Sequence, residues 1–561
     1  MAPPTQILKT GPSLHHSRAR RQTSLMRRRG LRPVWAMMAT FGVVGACGGD
    51  YYLGGARGRS TVARDGGATT VSRDGGVGTA PGDGGANARV LTGDIVLHGD
   101  DSLALPAEDA GPCRLVGNGH SIRSDDTWVG RLTIRGCLIE GLGGATTPAI
   151  DVRSSGSGVT TIEGNTFSKS GAVDVDNSGD STTTFNDNVI LSDSTVTLGA
   201  YSYTTTPAFS ATGSSTASKL FQGNHVYRSS VAFGSPNWLV GGSQDSESNI
   251  LVGLRAGISL DASGLVLRGN YVHVLYLDGA GDETAVEATY TTTDTLAEHN
   301  VFRGGEWVFR GFGGELRYNE VLDIRSIAWV YQPFENTKIH HNVFLMCRPP
   351  EQELQAGIFL VNDRAAGIEI YNNTLHAGGA AMMLTGAAVA IDDGCSLDSF
   401  RSNLVFDFPF VRNDGGAAAV RPGITESVVP PPVRLGYADY NLFYNPALNP
   451  PRNYAVAVSG HTLRADAGFG KHDAHVGGPV DEQVNPGPLG FSGDCFPWSD
   501  DDIEASRVTV SRILGATRAS YTPAASSAAL TGGDPADGTP NFMGAVGDGT
   551  TARDLFGTFG R

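Results

Sequence analysis

The sequence predicts an all-β protein wound as a solenoid of short strands. Glycine accounts for 76 of the 561 residues, and charged residues make up only 18% of the chain. Because glycine inside a helix costs about 0.5–1 kcal/mol relative to alanine, this composition favours strands joined by turns. One short asparagine-containing motif also recurs along the chain, and such repetition is the signature of solenoids. We therefore predict one long repetitive domain.

The motif reads apolar, polar, variable, Asn, variable, apolar. Ten copies place their asparagine at Asn165, Asn188, Asn224, Asn270, Asn300, Asn319, Asn342, Asn373, Asn403 and Asn441. Asn118 and Asn249 resemble weaker copies, and Cys137 stands at the asparagine position of another. The shortest steps between successive markers are 19–23 residues, the length of one solenoid coil. Longer steps indicate loop insertions, which solenoids tolerate because each coil contacts only its neighbours.

The motif favours a parallel β-helix of about 12–13 coils. Apolar residues three before and two after the asparagine can both point inward if the chain turns at the asparagine. Stacked coils lie ~4.8 Å apart, so the asparagine side chains can hydrogen-bond in a buried ladder. Leucine-rich repeats have a similar period, but they need several leucines at fixed spacing, and the intervals here are rich in Gly, Thr and Ser.

The asparagine pattern resembles the right-handed parallel β-helix repeat of the pectate-lyase-like superfamily over roughly residues 90–475. The tail, at 523–530, 533–535 and 543–545, is similar to the endings of such proteins. The resemblance implies a right-handed β-helix that handles polysaccharide. It leaves calcium open as a cofactor, and the residues themselves imply none. The sequence signatures of pectate lyases and polygalacturonases are absent, so the resemblance does not name a reaction.

The N-terminus predicts export. A basic segment at 27–32 precedes a mostly apolar run at 33–46, which is the arrangement of a secretory signal. The run is shorter than the roughly 20 residues that span a bilayer. It ends at Val44-Gly-Ala-Cys47, which resembles the lipobox of bacterial lipoproteins; an ordinary secretory signal is the alternative. We expect lipidation of Cys47 and an outer-membrane or cell-surface location, or otherwise secretion.

Four segments follow from these features. Residues 1–46 form a lipoprotein-type signal peptide, 47–88 a glycine-rich tether, 89–480 the β-helix, and 481–561 further C-terminal coils or a cap. A cap is expected because an open coil end exposes unpaired backbone groups.

The charge balance points away from nucleic acid as a partner. The net charge is −15 for the whole chain and −23 after residue 46, from 34 basic and 57 acidic residues. Nucleic-acid binding needs clustered cations to release counterions. We expect a monomer that binds polysaccharide as its partner. We expect it to contact the membrane only through its N-terminal lipid.

Five cysteines follow Cys47, so at least one is unpaired. Exported proteins can form disulfides, and sequence separation favours the pairs Cys113–Cys137 and Cys347–Cys395. No C-x-x-C or H-E-x-x-H motif occurs in the sequence, and we therefore predict no zinc site.

A charged patch is predicted on one outer face. Side chains alternate along a strand, so the positions two and four before each asparagine face outward together. In consecutive coils the first column reads Glu298, Arg317, His340, Tyr371 and the second reads Leu296, Glu315, Lys338, Glu369. Two interpretations are open: paired charges that stabilise a solvent-facing sheet by about 0.2–1 kcal/mol each, or a groove for an anionic polysaccharide.

The second interpretation gives the patch catalytic roles. β-Elimination from a uronate requires a group that neutralises the carboxylate, a base for the C5 proton and an acid for the leaving oxygen. Arg317 and Lys338 suit carboxylate binding, and His340 or Tyr371 suits proton transfer. We expect Lys338 to lie between two carboxylates and stay charged, which disfavours it as the base.

Arg310 is a further candidate catalytic residue. It lies in the segment 300–311, which resembles the coil of β-helical alginate and chondroitin lyases in which an arginine follows an Asn-x-Phe motif and an apolar strand. The lysine that those families place one coil earlier finds only threonines here, at 291–293. A structural arginine that flanks the core is the alternative.

Together these features predict a lipid-anchored, cell-surface β-helix protein that binds or processes polysaccharide. If it is an enzyme, polyuronate lyase is the specific candidate and glycoside hydrolase the other. The alternative is a non-catalytic adhesion or structural protein. Charges clustered in an open groove would favour the enzyme, and charges paired along the solenoid would favour the alternative.

Overall fold

The structure is a computed structural model of the chain. It describes residues 77–79, 88–106, 113–191, 206–253, 256–275, 283–289, 292–322, 328–345, 356–360, 365–376, 387–391, 395–406, 420–421, 424–426, 434–444, 474–476, 498–520, 530, 532–537 and 542–545. The predicted signal peptide, Cys47 and most of the predicted tether lie outside these residues.

The chain forms a parallel β-solenoid with three sheets, which confirms the predicted fold class. We number the sheets in the order in which each coil visits them. Among the described residues, sheet 1 contains 14 strands, sheet 2 contains 13 and sheet 3 contains 16. Through the body of the solenoid, the chain visits the three sheets in turn, one strand in each. Neighbouring strands are parallel, except for one antiparallel pair at an end of sheet 3 and one at an end of sheet 1.

The strands are short, as expected where each coil turns three times. In spatial order, sheet 1 comprises Ile95–Leu97, Ile122–Ser124, Ile150–Ser154, Val173–Asn177, Phe209–Thr212, Val231–Phe233, Ala256–Leu260, Thr284–Ala288, Trp307–Phe312, Ala328–Pro333, Ala356–Leu360, Ala387–Ile391, Ile424–Glu426 and Val420–Arg421. Sheet 2 comprises Ser102–Leu105, Arg131–Arg135, Val159–Glu163, Thr182–Asn186, Lys219–Gln222, Trp238–Gly241, Val266–Arg268, Thr295–Glu298, Gly314–Arg317, Lys338–His340, Ile368–Tyr371, Ser396–Arg401 and Arg434–Asp439. Sheet 3 comprises Val77–Thr79, Ala88–Leu91, Cys113–Val116, Cys137–Glu140, Thr166–Ser168, Val189–Leu191, His225–Tyr227, Ile250–Gly253, Tyr271–Val274, Val301–Gly304, Glu320–Leu322, Val343–Leu345, Thr374–His376, Leu404–Phe406, Leu442–Tyr444 and Ala474–Val476.

The asparagines form a continuous buried ladder between sheets 2 and 3. In each step the Oδ1 of one asparagine accepts a hydrogen bond from the Nδ2 of the asparagine in the preceding coil, and in most steps it also accepts from that residue's backbone N–H. Between Asn319 and Asn342 both distances are 3.0 Å. The two residues are therefore neighbours, as predicted, and Asn249 is a full member of the ladder.

The turn differs from the predicted one in a single detail. The residue that adopts the left-handed backbone conformation is the one before the asparagine, as at Tyr318 (φ 54°) and His341 (φ 55°). That residue reverses the chain direction and leaves the asparagine side chain pointing into the core. The apolar residues on either side then face inward, as Phe185 and Ile190 do around Asn188.

The first coils replace the asparagine by a disulfide. Cys113 pairs with Cys137 across adjacent strands of sheet 3, and their sulfurs are bonded, as predicted. Cys113 therefore occupies the ladder position of its coil, and the assignment of Asn118 as a weak motif copy is wrong. The backbone N–H of Cys137 donates to Asn165 Oδ1, which joins the disulfide to the ladder. Cys395 is buried, but Cys347 lies outside the described residues, so the second pairing stays a prediction.

The C-terminal segment lies along the outer face of sheet 3. It contains helix α1 (Asp500–Glu504), helix α2 (Val510–Ser520) and a 3₁₀ turn at Pro535–Asp537; another 3₁₀ turn, Asp245–Glu247, precedes a strand of sheet 3. Apolar side chains of both helices pack against the sheet. The ranges that the structure describes include no helix long and apolar enough to cross a membrane.

Candidate functional site

The outer face of sheet 2 carries the predicted charged patch in the predicted register. Glu298, Arg317, His340 and Tyr371 are direct partners on successive strands. In the second column, the four residues Leu296, Glu315, Lys338 and Glu369 are likewise aligned. The ladder fixes this register, because each asparagine holds its coil at the same height relative to the next.

Glu298 is the most buried carboxylate of the patch, with 6% of its side chain exposed. Arg268 donates to its Oε1 through Nε at 2.6 Å, and Arg317 donates to its Oε2 through Nε at 2.8 Å. Burial raises the pKa of Glu298, but the hydrogen bond from Arg317 and the charges of both arginines outweigh burial and lower it overall. The carboxylate is therefore ionised and held on both sides.

Glu315 joins Arg317 to a pair of histidines. Its Oε1 accepts from Arg317 Nη1 and from His340 Nε2, both at 2.8 Å. The His340 hydrogen bond is the main cause that lowers the pKa of Glu315 to about 2, with the charge of Arg317 adding to it. His340 Nδ1 lies 2.8 Å from His341 Nδ1.

The partners fix the protonation of these two rings. Burial lowers the pKa of His340, and it lowers the pKa of His341 to about 3, so both rings are neutral near pH 7. The ionised Glu315 can only accept, so His340 carries its hydrogen on Nε2 and accepts at Nδ1 from His341. Both ring nitrogens of His340 are thus engaged, and the residue is 6% exposed. His340 is poorly placed to take a proton from a ligand.

Aromatic stacking continues the patch into the next coils. Tyr371 stacks on His340 with ring centroids 4.6 Å apart, and the Arg401 guanidinium lies 4.4 Å from the centre of the Tyr371 ring. Arg401 also reaches Glu369 at 3.5 Å. Sequence reasoning missed Arg401, although it stands two positions before Asn403 and so continues the first column.

Lys338 differs from its expected setting. Its Nζ lies 3.9 Å from Glu369, whereas Glu315 is directed to Arg317 and His340 rather than to Lys338. The planar guanidinium and the ring N–H offer better-directed donors than a flexible ammonium, and they lie closer to the carboxylate.

The C-terminal segment covers one edge of the patch. The Phe542 carbonyl accepts from Asn372 Nδ2 at 2.6 Å, and the Phe542 ring lies 6.0 Å from that of His341. The Asp534 backbone N–H donates to Ser402 Oγ at 2.8 Å. The charged side chains of the sheet 2 patch are therefore paired and partly buried, and the C-terminal segment packs against one edge of the patch.

Arg310 lies on a different face, the outer side of sheet 1. Its register partners are Glu287 in the preceding coil and Tyr331 in the following coil. Arg310 Nη1 lies 3.6 Å from Glu287, and the guanidinium lies 4.9 Å from the centre of the Trp307 ring. The Trp307 and Tyr331 rings are 5.5 Å apart. The structure thus does not bring Arg310 together with Arg317, Lys338, His340 and Tyr371 on one sheet face.

We call Glu287, Trp307, Arg310 and Tyr331 the sheet 1 cluster. Its charged side chains are accessible, with 38% of Arg310 and 45% of Glu287 exposed. Trp307 is 7% exposed, and its Nε1 has no hydrogen-bond partner among the described residues. Sequence reasoning identified only the arginine of this cluster. In the described part of the chain no group of three or more His, Cys, Asp or Glu side chains could hold a metal ion.

Comparison with known proteins gives only distant structural matches. No protein-family profile and no curated protein matches the chain. The chain is similar to the crystal structure of the periplasmic alginate epimerase AlgG, at 13% identity and a TM-score of 0.33, over 62% of this chain and 78% of the epimerase. A substituted form of AlgG matches at 12% identity and a TM-score of 0.31, over 63% and 78%. Likeness at this level says nothing about activity.

Proposed function

We propose that this protein binds an anionic polysaccharide on the outer face of sheet 1, at the sheet 1 cluster. One observation carries the proposal: an accessible arginine lies beside its register partner Tyr331, which is partly exposed, and the buried Trp307 packs beneath both. A tyrosine ring offers an apolar face to a sugar ring, and a guanidinium offers paired donors to a carboxylate. Tyr331 and Arg310 can therefore bind a uronate unit through its ring face and its carboxylate together.

The sheet 2 patch is the weaker candidate for this role. Its central arginine, Arg317, already binds two carboxylates, and its histidine uses both ring nitrogens. A ligand that entered there would have to break these pairs and remove one of the two arginines that hold the buried Glu298, which is costly for a buried charge. On sheet 1, the Arg310–Glu287 contact is longer and both side chains are more exposed, so water screens this ion pair and it contributes little to stability.

The proposal extends to polyuronate processing. If the ligand is cleaved by β-elimination, Arg310 would neutralise the carboxylate, which is the group that must be stabilised as the C5 proton leaves. A second candidate is non-catalytic adhesion, which is favoured by the extensive charge pairing on sheet 2. Polysaccharide binding without formation of a cleavage product would favour this second candidate.

The test is quantitative binding to a panel of polyuronates and neutral glucans, with and without calcium and with a chelator. We expect polyuronates to bind and neutral glucans to bind weakly. Tyr331→Ala and Arg310→Ala should each weaken binding roughly tenfold, which corresponds to about 1.4 kcal/mol. Arg135→Ala is the matched control, because Arg135 is an exposed arginine paired with Glu163 on sheet 2. Affinity that is unchanged in both cluster variants would refute the site, and ultraviolet absorbance of unsaturated products would report elimination.

We further propose that the protein is exported and held at the outer membrane or cell surface by lipid on Cys47. The apolar run followed by Val44-Gly-Ala-Cys47 supports this. Several acyl chains give stable anchoring, because each buried CH₂ contributes about 0.8 kcal/mol. Mass analysis of the mature N-terminus tests the modification, and Cys47→Ser should release the protein from the membrane fraction. An unmodified mature N-terminus would contradict the proposal.

A further inference from the structure

A column of register partners runs along the outer face of sheet 1 and passes through the sheet 1 cluster. From Glu287 towards the N-terminus, its successive members are Ser259, Ala232, Ser210, Asp174 and Asp151. From Tyr331 towards the C-terminus, they are Phe359, Ala390 and Thr425. Each member from 151 to 331 is partly exposed between buried neighbours, so the column faces outward. We call these residues, with Arg310, the sheet 1 column.

Glu287 stands next to the cluster arginine on the N-terminal side of the column. Its side chain is 45% exposed, and its Oε1 lies 3.6 Å from Arg310 Nη1. A contact of this length between exposed groups adds little to stability, because water screens it. The fold therefore does not require an acidic residue at this position.

The other charges of the column lie on the same side of the arginine. Asp174 and Asp151 are direct partners, and burial together with the charge of Asp151 raises the pKa of Asp174 to about 6, so both are largely ionised at neutral pH. Arg123 and Arg153 flank this pair, but each lies within 3.4 Å of an aspartate. On the C-terminal side of the cluster arginine, every residue of the column is uncharged. The column therefore repels a polyanion on its N-terminal side only.

This asymmetry defines a path for a bound polysaccharide. The column advances ~4.8 Å per coil, so an extended chain held by Tyr331 and Arg310 can follow it in either direction. Each further uronate unit adds one negative charge. On the N-terminal side the next unit would lie over Glu287, and two like charges about 4 Å apart in water weaken binding roughly fivefold. On the C-terminal side the next unit meets no charge of the column.

We propose that Glu287 is a specificity-determining residue, which makes the sheet 1 cluster bind the end of a polyuronate chain rather than its interior. This inference rests on the proposed function. The terminal unit lies at Arg310 and Tyr331, and the rest of the chain extends along the uncharged C-terminal side of the column. Glu287 occupies the position that the next unit of an internal segment would need.

The number of protein molecules bound per polyuronate chain tests this inference on the whole protein. Analytical ultracentrifugation would compare a short oligouronate with a defined chain several times longer than the sheet 1 column. For the unaltered protein we expect one molecule per chain and the same molar affinity at both lengths, because each chain has one matching end. Glu287→Gln should admit internal segments, so that the long chain binds several molecules and binds roughly fivefold more tightly.

The matched control is Glu163→Gln. Glu163 is a carboxylate of similar exposure, 42%, and it lies 3.1 Å from an arginine on sheet 2. Because it is remote from the sheet 1 column, this variant should retain one molecule per chain. Chemical capping of both chain ends should weaken binding to the unaltered protein.

Three results would overturn the inference and leave the proposed binding site in place. The first is several molecules of the unaltered protein on the long chain, which needs no variant to interpret. The second is a Glu287→Gln variant that still binds one molecule per chain. The third is unchanged binding of chains that are capped at both ends. A protein that binds no polyuronate would refute the proposed function and this inference together.

Discussion

Replacement of Asn342 by leucine tests the principle that holds this fold together. The Asn342 side chain accepts from the backbone N–H and the Nδ2 of Asn319, both at 3.0 Å. Its own Nδ2 donates to the carbonyl of Leu316 at 2.8 Å and to Oδ1 of Asn373 at 3.1 Å. Leucine has similar volume but none of these groups, so the change removes hydrogen bonds without opening a large cavity.

The expected loss follows from which buried groups remain without a partner. The Asn319 backbone N–H loses its acceptor, whereas the Asn319 Nδ2 keeps the carbonyls of Ala297 and Arg317. Asn373 Oδ1 loses one of its donors but keeps the backbone N–H of residue 342. At about 1–3 kcal/mol for a buried group left unsatisfied, loss of the acceptor for the Asn319 N–H gives a destabilisation of about 1–3 kcal/mol, and the weakened Asn373 carbonyl adds a smaller amount.

Urea unfolding followed by far-ultraviolet circular dichroism and by tryptophan fluorescence measures this loss. Thr161→Leu is the control, because Thr161 lies partly exposed on the outer face of sheet 2. We expect it to change the free energy of unfolding by no more than about 0.5 kcal/mol. An Asn342→Leu protein as stable as the control would refute the ladder as a source of stability.

Two further predictions concern the buried charges and the first coils. Glu298→Gln should lower the free energy of unfolding by about 2–3 kcal/mol in the same urea assay, less than a fully buried pair, because Arg268 and Arg317 remain about one third exposed; a loss below about 0.5 kcal/mol would contradict it. Cys113→Ser opens a disulfide that links residues 24 positions apart, and we expect a loss of about 3 kcal/mol, measured as a lower urea midpoint. A midpoint equal to that of the unaltered protein would show that the disulfide adds nothing to the ladder.

The sequence alone was sufficient to predict the fold and the register of sheet 2. Both depend on a fixed offset from the asparagine: two and four positions before it are outward, and three positions before it is inward. Because the turn between sheets 2 and 3 is short and constant, counting from Asn319 or Asn342 places each side chain correctly. The same count would also have found Arg401, had the column been continued by one more coil.

The sequence pattern did not predict the register of the first coils, because a disulfide-bonded cysteine stands there at the position that asparagine occupies in later coils. The asparagine pattern assigns Asn118 to the ladder position of its coil, whereas the strand register in the structure places Cys113 there. The disulfide and the asparagine amide both tie one coil to the next, so the column is defined by its position in space rather than by residue type.

The sequence could not predict that the residues of the sheet 1 cluster are neighbours, and the reason is geometric. Arg310 precedes its ladder asparagine by nine residues, Tyr331 by eleven and Glu287 by thirteen, although the three are direct register partners. The connections between sheets 1 and 2 vary in length from coil to coil. Counting back from the asparagine therefore cannot align residues across that turn, and their proximity becomes visible only in the structure.

The constant turn between sheets 2 and 3 and the variable connections between sheets 1 and 2 also affect which sheet face can bind a ligand. On sheet 2 a constant turn stacks side chains at a fixed spacing, so like charges in adjacent coils would repel, and opposite charges are favoured in contact. Such a face satisfies its own charges, as Glu298, Arg317 and Glu315 do. On sheet 1 the connections vary in length, and each coil can present a different outward residue without loss of the ladder. Side chains on sheet 1 are stacked in direct register as well, as Glu287, Arg310 and Tyr331 are, but the variable connections decide which residues of each coil meet there.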